Sequence, residues 1–171
     1  DVRITRMCGI SGILPFGSER ADVLERVIGS MNSAVRHRGP DDAGIWIEAQ
    51  GRAAFGHARL SILDLTPLGH QPMATPDGMV WMTYNGEVYN YSALRAELEA
   101  LGHVFRSRTD SEVLLGAFRQ WGSDAFRRFN GMFAAAFADM RTNRVFMVRD
   151  RLGIKPLHYW NSGGTLIFCS E

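Results

Sequence analysis

Cysteine is scarce in this chain of 171 residues: Cys8 and Cys169 are the only two. Two cysteines cannot build a disulfide scaffold or an all-cysteine zinc centre, although a single bridge between them stays open at this level. Lysine is scarcer still. Lys155 stands alone, and the rest of the 19 basic residues are arginine. An excess of one charge is also missing, since 19 basic residues face 18 acidic ones and leave a formal net charge of +1. Nothing domain-wide is available to displace counterions from nucleic acid. No run of about 18 apolar residues occurs, so no membrane-spanning helix is expected. Residues 1–6 lack the apolar core of a secretory signal. Internal repeats and low-complexity stretches are absent. What is left is a globular chain of ordinary composition, 46% hydrophobic and 22% charged, long enough to bury a core without covalent staples. Cytoplasm is the location expected by default. Residues 1–6 read as an extension or tag remnant, and residues 7–171 as one domain taken from a longer protein.

The hydrophobic periods predict mixed elements. Residues 10–16 read as a buried strand, and 21–35 as an amphipathic helix with Leu24, Val27, Ile28, Met31 and Val35 on one face. Residues 36–42 form a loop broken by Gly39-Pro40. Strands follow over 44–49 and 53–60, then a proline- and glycine-rich loop over 65–78, then a strand over 79–84. Asn90 or Ser92 is a candidate cap for a helix running to Leu101. Thr109-Asp110-Ser111-Glu112 has the form of a capping box for a second helix ending at Gly122. A short helix is expected over 124–129, and hairpins over 132–149 and 157–169. Hairpins with a few helices, without βαβ alternation, make this an α+β chain of mainly antiparallel sheets.

Several residues carry two readings. Cys8 is a small buried hydrophobe or a nucleophile. If Met7 is a translation start that is removed, Cys8 carries both a thiol and a free α-amine, whose pKa of about 8 suits a general base for that thiol. Residues 1–6, if retained, turn that amine into an amide. Asn85-Gly86 is a type I′ hairpin turn between two strands, or an oxyanion hole made of a side-chain amide and a backbone N–H. Arg59 lies on a wet strand face or clamps a substrate carboxylate with its planar fork. Asp110 caps a helix, holds a substrate ammonium, or does both. His37 and His57 match no metal spacing and read as structural. Ser162-Gly163-Gly164 reads as a turn rather than a nucleotide loop.

Six ordered segments together are more specific than any one. They are Met7-Cys8-Gly9-Ile10-Ser11-Gly12-Ile13, Arg36-His37-Arg38-Gly39-Pro40-Asp41 and His57-Ala58-Arg59-Leu60-Ser61-Ile62-Leu63-Asp64. Then come Tyr84-Asn85-Gly86-Glu87-Val88-Tyr89-Asn90, Thr109-Asp110-Ser111-Glu112-Val113 and Arg149-Asp150-Arg151-Leu152-Gly153-Ile154-Lys155-Pro156-Leu157. Over residues 7–171 the chain resembles the glutaminase domain of glutamine-hydrolysing asparagine synthetases. Glutaminase domains of glucosamine-phosphate synthase and of the first purine amidotransferase share the Cys-Gly-Ile start and an Asn-Gly pair, but match less well around Arg59 and Asn85.

The resemblance implies a class II glutamine amidotransferase with the N-terminal nucleophile fold, a four-layer αββα sandwich of two antiparallel sheets. It implies that Cys8 attacks the glutamine amide and that Asn85 and Gly86 form the oxyanion hole. Arg59 would bind the α-carboxylate, Asp110 with Glu87 the α-ammonium, and Leu60, Ile62 and Leu63 would line the pocket. It implies thioester formation with ammonia release, without a metal or cofactor; ATP and Mg belong to a C-terminal synthetase domain that activates aspartate and is not in this chain. The partners implied are L-glutamine and that covalently linked domain, with no nucleic acid or membrane; a homodimer stays open. The rivals are the same glutaminase chemistry serving an acceptor other than aspartate, and a silent scaffold that kept only the fold.

Overall fold

The computed structural model of the chain describes residues 7–60 and 67–171. Nine strands and four helices occur in these residues: β1 (Gly9–Pro15), α1 (Ala21–Ala34), β2 (Asp42–Ile47), β3 (Ala54–Arg59), β4 (Met73–Ala74), β5 (Val80–Val88), α2 (Tyr91–Ala100), α3 (Asp110–Trp121), α4 (Ala125–Arg128), β6 (Gly131–Asp139), β7 (Arg144–Arg149), β8 (His158–Ser162) and β9 (Thr165–Cys169). The strands form two antiparallel sheets, ordered β2-β3-β1-β9-β8 and β4-β5-β6-β7.

Three apolar interfaces separate four layers. α1 seals the outer face of the first sheet with Leu24 and Ile28 against Ile13 and Ala54. Between the sheets, Phe55 and Phe168 pack against Ala136 and Ala138, and Trp46 of β2 stacks on Trp81 of β5 at 5.0 Å. On the far side, Phe133, Ala135 and Phe137 of β6 meet Leu94 and Leu98 of α2 and Leu114 and Phe118 of α3. The two-residue period of β6 explains the split. Its alanines at 136 and 138 face the opposite sheet, while its phenylalanines face the helices. Each fully buried Leu or Phe contributes about 1.5–3 kcal/mol. This is the αββα sandwich that the resemblance implies.

Local chemistry departs from expectation at four places. Asn85-Gly86 is not a hairpin turn: both residues lie inside β5, which continues to Val88 in unbroken register with β6, Asn85 opposite Ala134 and Gly86 opposite Phe133. A β-carbon on Gly86 would sit 2.2 Å from the Met132 carbonyl oxygen and 2.5 Å from the Phe133 Cα, and its φ is +155°. Glycine therefore serves close strand approach here, not chain reversal. The capping box is half made. Thr109 Oγ1 accepts the Glu112 N–H at 3.3 Å, but the Glu112 carboxylate turns to the backbone of Arg106 and Ser107 instead of Thr109. Asn90 occupies the first position before α2 without a side-chain cap, because its amide bridges Arg128 and Asn130. The loop expected over 65–78 also contains β4, which edges the second sheet. Cys8 and Cys169 are both free thiols.

Candidate active site

The start of β1, the end of β3, the middle of β5 and the first turn of α3 converge on one cavity of about 150 Å³. Its wall includes Cys8, Arg59, Leu60, Asn85, Gly86, Glu87 and Asp110. Seven of the nine residues expected to act together are thus gathered. Ile62 and Leu63 lie outside the described residues. A larger groove of about 650 Å³ between β4 and the α2–α3 connection has neither a cysteine nor an unpartnered buried amide in its wall.

Cys8 sits just before β1. Its sulfur accepts the Leu60 N–H at 3.3 Å and faces the Leu60 carbonyl at 3.7 Å. Its own carbonyl accepts from Arg38 Nε at 3.2 Å. Burial pushes the thiol above its ordinary value; the Leu60 N–H and the charge of Arg59 pull the other way without prevailing, and Asp110 adds to the rise. An arginine beside a thiol favours its ionised form. Arg59 is that arginine, and desolvation outweighs it.

Arg59 ends β3 and is only 8% exposed, so it does not lie on a wet strand face. Its guanidinium packs against Gly69, where an added β-carbon would come within 2.1 Å of a terminal nitrogen. Asp110 opens α3 and is 4% exposed. Its Oδ2 accepts the Tyr84 hydroxyl at 2.6 Å and the Val88 N–H at 3.1 Å. Burial raises its carboxyl above the usual range, while these donors and the Ser111 N–H work against that rise. Asp110 thus serves the backbone of β5 and also forms part of the cavity wall.

Asn85 carries the most telling detail. It is 2% exposed, and its Nδ2 is buried without a hydrogen-bond partner among the described residues. A buried unpaired amide costs about 1–3 kcal/mol, so its placement in a cavity wall points to an acceptor that arrives with a ligand. Gly86 adds a second donor by strand alternation. The N–H groups of Tyr84 and Val88 leave β5 on one edge, toward Gln71 and Asp110. The Gly86 N–H between them therefore faces that same edge.

Sequence reasoning missed the supports of this arrangement. Gln71, Tyr84, Ser111, Met132 and Lys155 also line the cavity. His57 is structural, as expected, and its role is specific: from the opposite sheet its Nε2 donates to the Tyr84 carbonyl at 3.0 Å. Burial lowers its pKa to about 4, so it stands neutral at pH 7. His37 is exposed and bonds to Ala34 and Glu171. The signals available beforehand for Lys155 were its place in the last of the six ordered segments and its being the only lysine of an arginine-rich chain. No group of three or more histidine, cysteine, aspartate or glutamate side chains that could hold a metal ion occurs among the described residues. None of their helices is long and apolar enough to cross a membrane.

The chain is 40% identical over 167 residues to asparagine synthetase [glutamine-hydrolyzing] 3 of Bacillus subtilis, covering 96% of this chain and 26% of that protein. It is 39% identical to asparagine synthetase [glutamine-hydrolyzing] 2 of the same organism, covering 96% and 22%. The chain thus spans about a quarter of the length of these curated relatives. Among solved structures, the Bacillus subtilis glutamine phosphoribosylpyrophosphate amidotransferase superposes with a TM-score of 0.75 at 20% identity, over 95% of this chain and 42% of that one. That likeness establishes the fold. Residues 7–171 match the family described as glutamine amidotransferase domain; with the sandwich and the thiol-bearing cavity, this makes the chain a member of that family.

Proposed function

We propose that this domain hydrolyses L-glutamine to glutamate and supplies the ammonia to a synthetase domain that amidates aspartate. The observation that carries the reading is the unpartnered Asn85 amide in the same small cavity as the Cys8 thiol. The cavity wall also has charges of both signs, as an α-amino acid requires, with Arg59 among the cations and Asp110 and Glu87 among the acids. Arg59 holds the α-carboxylate as a planar fork, and the two acids hold the α-ammonium.

In the first step the Cys8 sulfur attacks the side-chain carboxamide carbon, and its proton passes to the Cys8 α-amine. The carbonyl oxygen becomes an oxyanion facing Asn85 Nδ2 and the Gly86 N–H. Collapse breaks the C–N bond, the amine returns the proton, and ammonia leaves a thioester. Water then adds to the thioester carbon, the C–S bond breaks, and glutamate and the thiol are released. The amine exists only once the Met7–Cys8 peptide bond has been cut. No metal or cofactor takes part in these steps; ATP and Mg serve the synthetase reaction. The assignment of aspartate as acceptor rests on the names of the relatives.

The test is glutamate release from L-glutamine by protein expressed from Met7, with the processed N-terminus confirmed by intact mass. Turnover that vanishes in Cys8→Ala, with the fold retained, supports the nucleophile. Wild-type turnover in that variant overturns it.

A further inference from the structure

Tyr84 belongs to the core between the second sheet and its helices, and is 3% exposed. Phenylalanine fills the same layer at Phe133 and Phe137 of β6, so packing alone does not call for tyrosine. What tyrosine adds is a hydroxyl, and a hydroxyl buried in an apolar layer is unfavourable unless it finds a partner. Its partner is Asp110, whose Oδ2 accepts the Tyr84 hydroxyl at 2.6 Å. The two side chains come from different layers, β5 and the first turn of α3, and both line the cavity.

Three donors hold the Asp110 carboxylate. The Val88 N–H reaches the same oxygen at 3.1 Å, and the Ser111 N–H also contributes. Those two are backbone groups, which the fold supplies whatever the side chains. Of the three, only the Tyr84 hydroxyl depends on a side chain. It is also held firmly, because Gln71 and His57 bind the Tyr84 main chain from two directions. A change confined to the ring leaves those main-chain bonds in place.

We propose that Tyr84 is a positioning residue for substrate selection: its hydroxyl holds the Asp110 carboxylate toward the α-ammonium of glutamine, so that the site selects the free amino acid over the same carboxamide without an α-amine. This rests on reading the cavity as a glutamine site. The titratable groups that share the wall with Asp110 are Tyr84 and Glu87 of β5, Arg59 of β3, Cys8 before β1 and Lys155 of the loop after β7. Glu112 of the same helix turns away to the backbone of Arg106 and Ser107. Burial raises the Asp110 carboxyl, and the Tyr84 hydroxyl is the foremost of the donors that oppose this rise. Without it the carboxylate is freer to rotate and takes up a proton more readily, and both changes weaken its hold on an ammonium. Asn85 and Gly86 follow Tyr84 directly in β5. One residue thus links the ammonium end of the cavity to the donors for the reacting carbonyl.

The experiment is calorimetric binding of L-glutamine and of glutaramate, which is glutamine without the α-amine, to the full chain carrying Cys8→Ala, with and without Tyr84→Phe. Cys8→Ala alone should bind L-glutamine more tightly than glutaramate. Adding Tyr84→Phe should weaken L-glutamine about tenfold, the scale of one lost hydrogen bond to an ionised group, and leave glutaramate within about twofold. The loss on L-glutamine should grow as the pH is lowered, because the released carboxyl protonates first in the variant. The phenyl ring keeps the packing, so the fold should be retained; circular dichroism checks this, and Tyr84→Leu provides a second variant without the hydroxyl. An unchanged preference in folded Tyr84→Phe or Tyr84→Leu overturns the proposal, as does an equal loss on both ligands, which is what a packing role alone would produce. Absence of any preference for L-glutamine in Cys8→Ala alone overturns it as well. The readout uses no turnover. Absence of glutamate release from wild type, with the preference and its loss intact, would remove the glutaminase reading and leave the binding role standing. Glutamate release with an unchanged preference would remove the proposal alone.

Discussion

Gln71 pairs with Tyr84 as a neighbouring strand would: its Oε1 accepts the Tyr84 N–H at 2.7 Å and its Nε2 donates to the Tyr84 carbonyl at 3.3 Å. The need arises because β4 pairs with β5 at Met82 and Trp81, and among the described residues no strand pairs with the β5 edge beyond. The same carbonyl also receives His57 from the other sheet. Tyr84 is thereby held from two sides, and with it the position of Asn85.

Gln71→Ala should uncover two buried backbone groups and cost about 1–3 kcal/mol of stability by urea unfolding. It should also lower kcat for glutamate release by about tenfold while KM for glutamine changes little, because in the proposed mechanism the loosened Asn85 faces the oxyanion rather than bound substrate. A stable variant with wild-type kcat would detach the clamp from the reaction.

Two glycines give opposite expectations. At Gly69 an added β-carbon meets only the Arg59 guanidinium, the far end of a flexible side chain. Gly69→Ala should fold with a melting temperature near wild type and raise KM for glutamine, as Arg59→Ala should, by removing ground-state binding. At Gly86 the same carbon meets the backbone of Met132 and Phe133. Gly86→Ala should be destabilised by several kcal/mol. Thermal melts and steady-state kinetics on both variants decide, and equal behaviour of the two would contradict this division.

Asn85→Ala removes a buried donor that has no protein partner among the described residues. Unlike most buried polar truncations it should not lower stability through a lost bond to protein at Nδ2, yet kcat should drop by about 100- to 1000-fold. A small kinetic effect would assign the oxyanion to other donors.

His57 makes stability depend on pH. Its folded pKa is about 4, against an ordinary value of 6.5. Between these values the unfolded chain binds more protons, so the contribution is complete above about pH 6.5. It declines as the pH falls through that window and is gone below about pH 4. At 1.36 kcal/mol per pH unit this amounts to roughly 3 kcal/mol. His57→Gln, whose amide can still donate to the Tyr84 carbonyl, should lose less stability than wild type between pH 7 and pH 4.5 in denaturant titrations. Parallel pH profiles would mean that His57 is not the group responsible.

The sequence by itself determined the local elements and the identities at the site. The apolar period of residues 21–35 specifies α1, the hairpins of β6–β7 and β8–β9 are legible from strand runs and turn residues, and the ordered motifs mark Cys8, Arg59, Asn85, Gly86 and Asp110. Those signals are local, because propensity and period act within a few residues. Only the tertiary structure decided where these residues sit and what surrounds them. Asn85-Gly86 has the composition of a turn, but its pairing with β6 makes it mid-strand. Arg59 has the pattern of a surface residue until Gly69 covers it. Gln71, His57 and Tyr84 gain their roles from partners 13, 27 and 26 positions away. Burial, unpaired amides and the balance of charges around a thiol are properties of packing between layers, and no window of sequence contains both sides of such a contact.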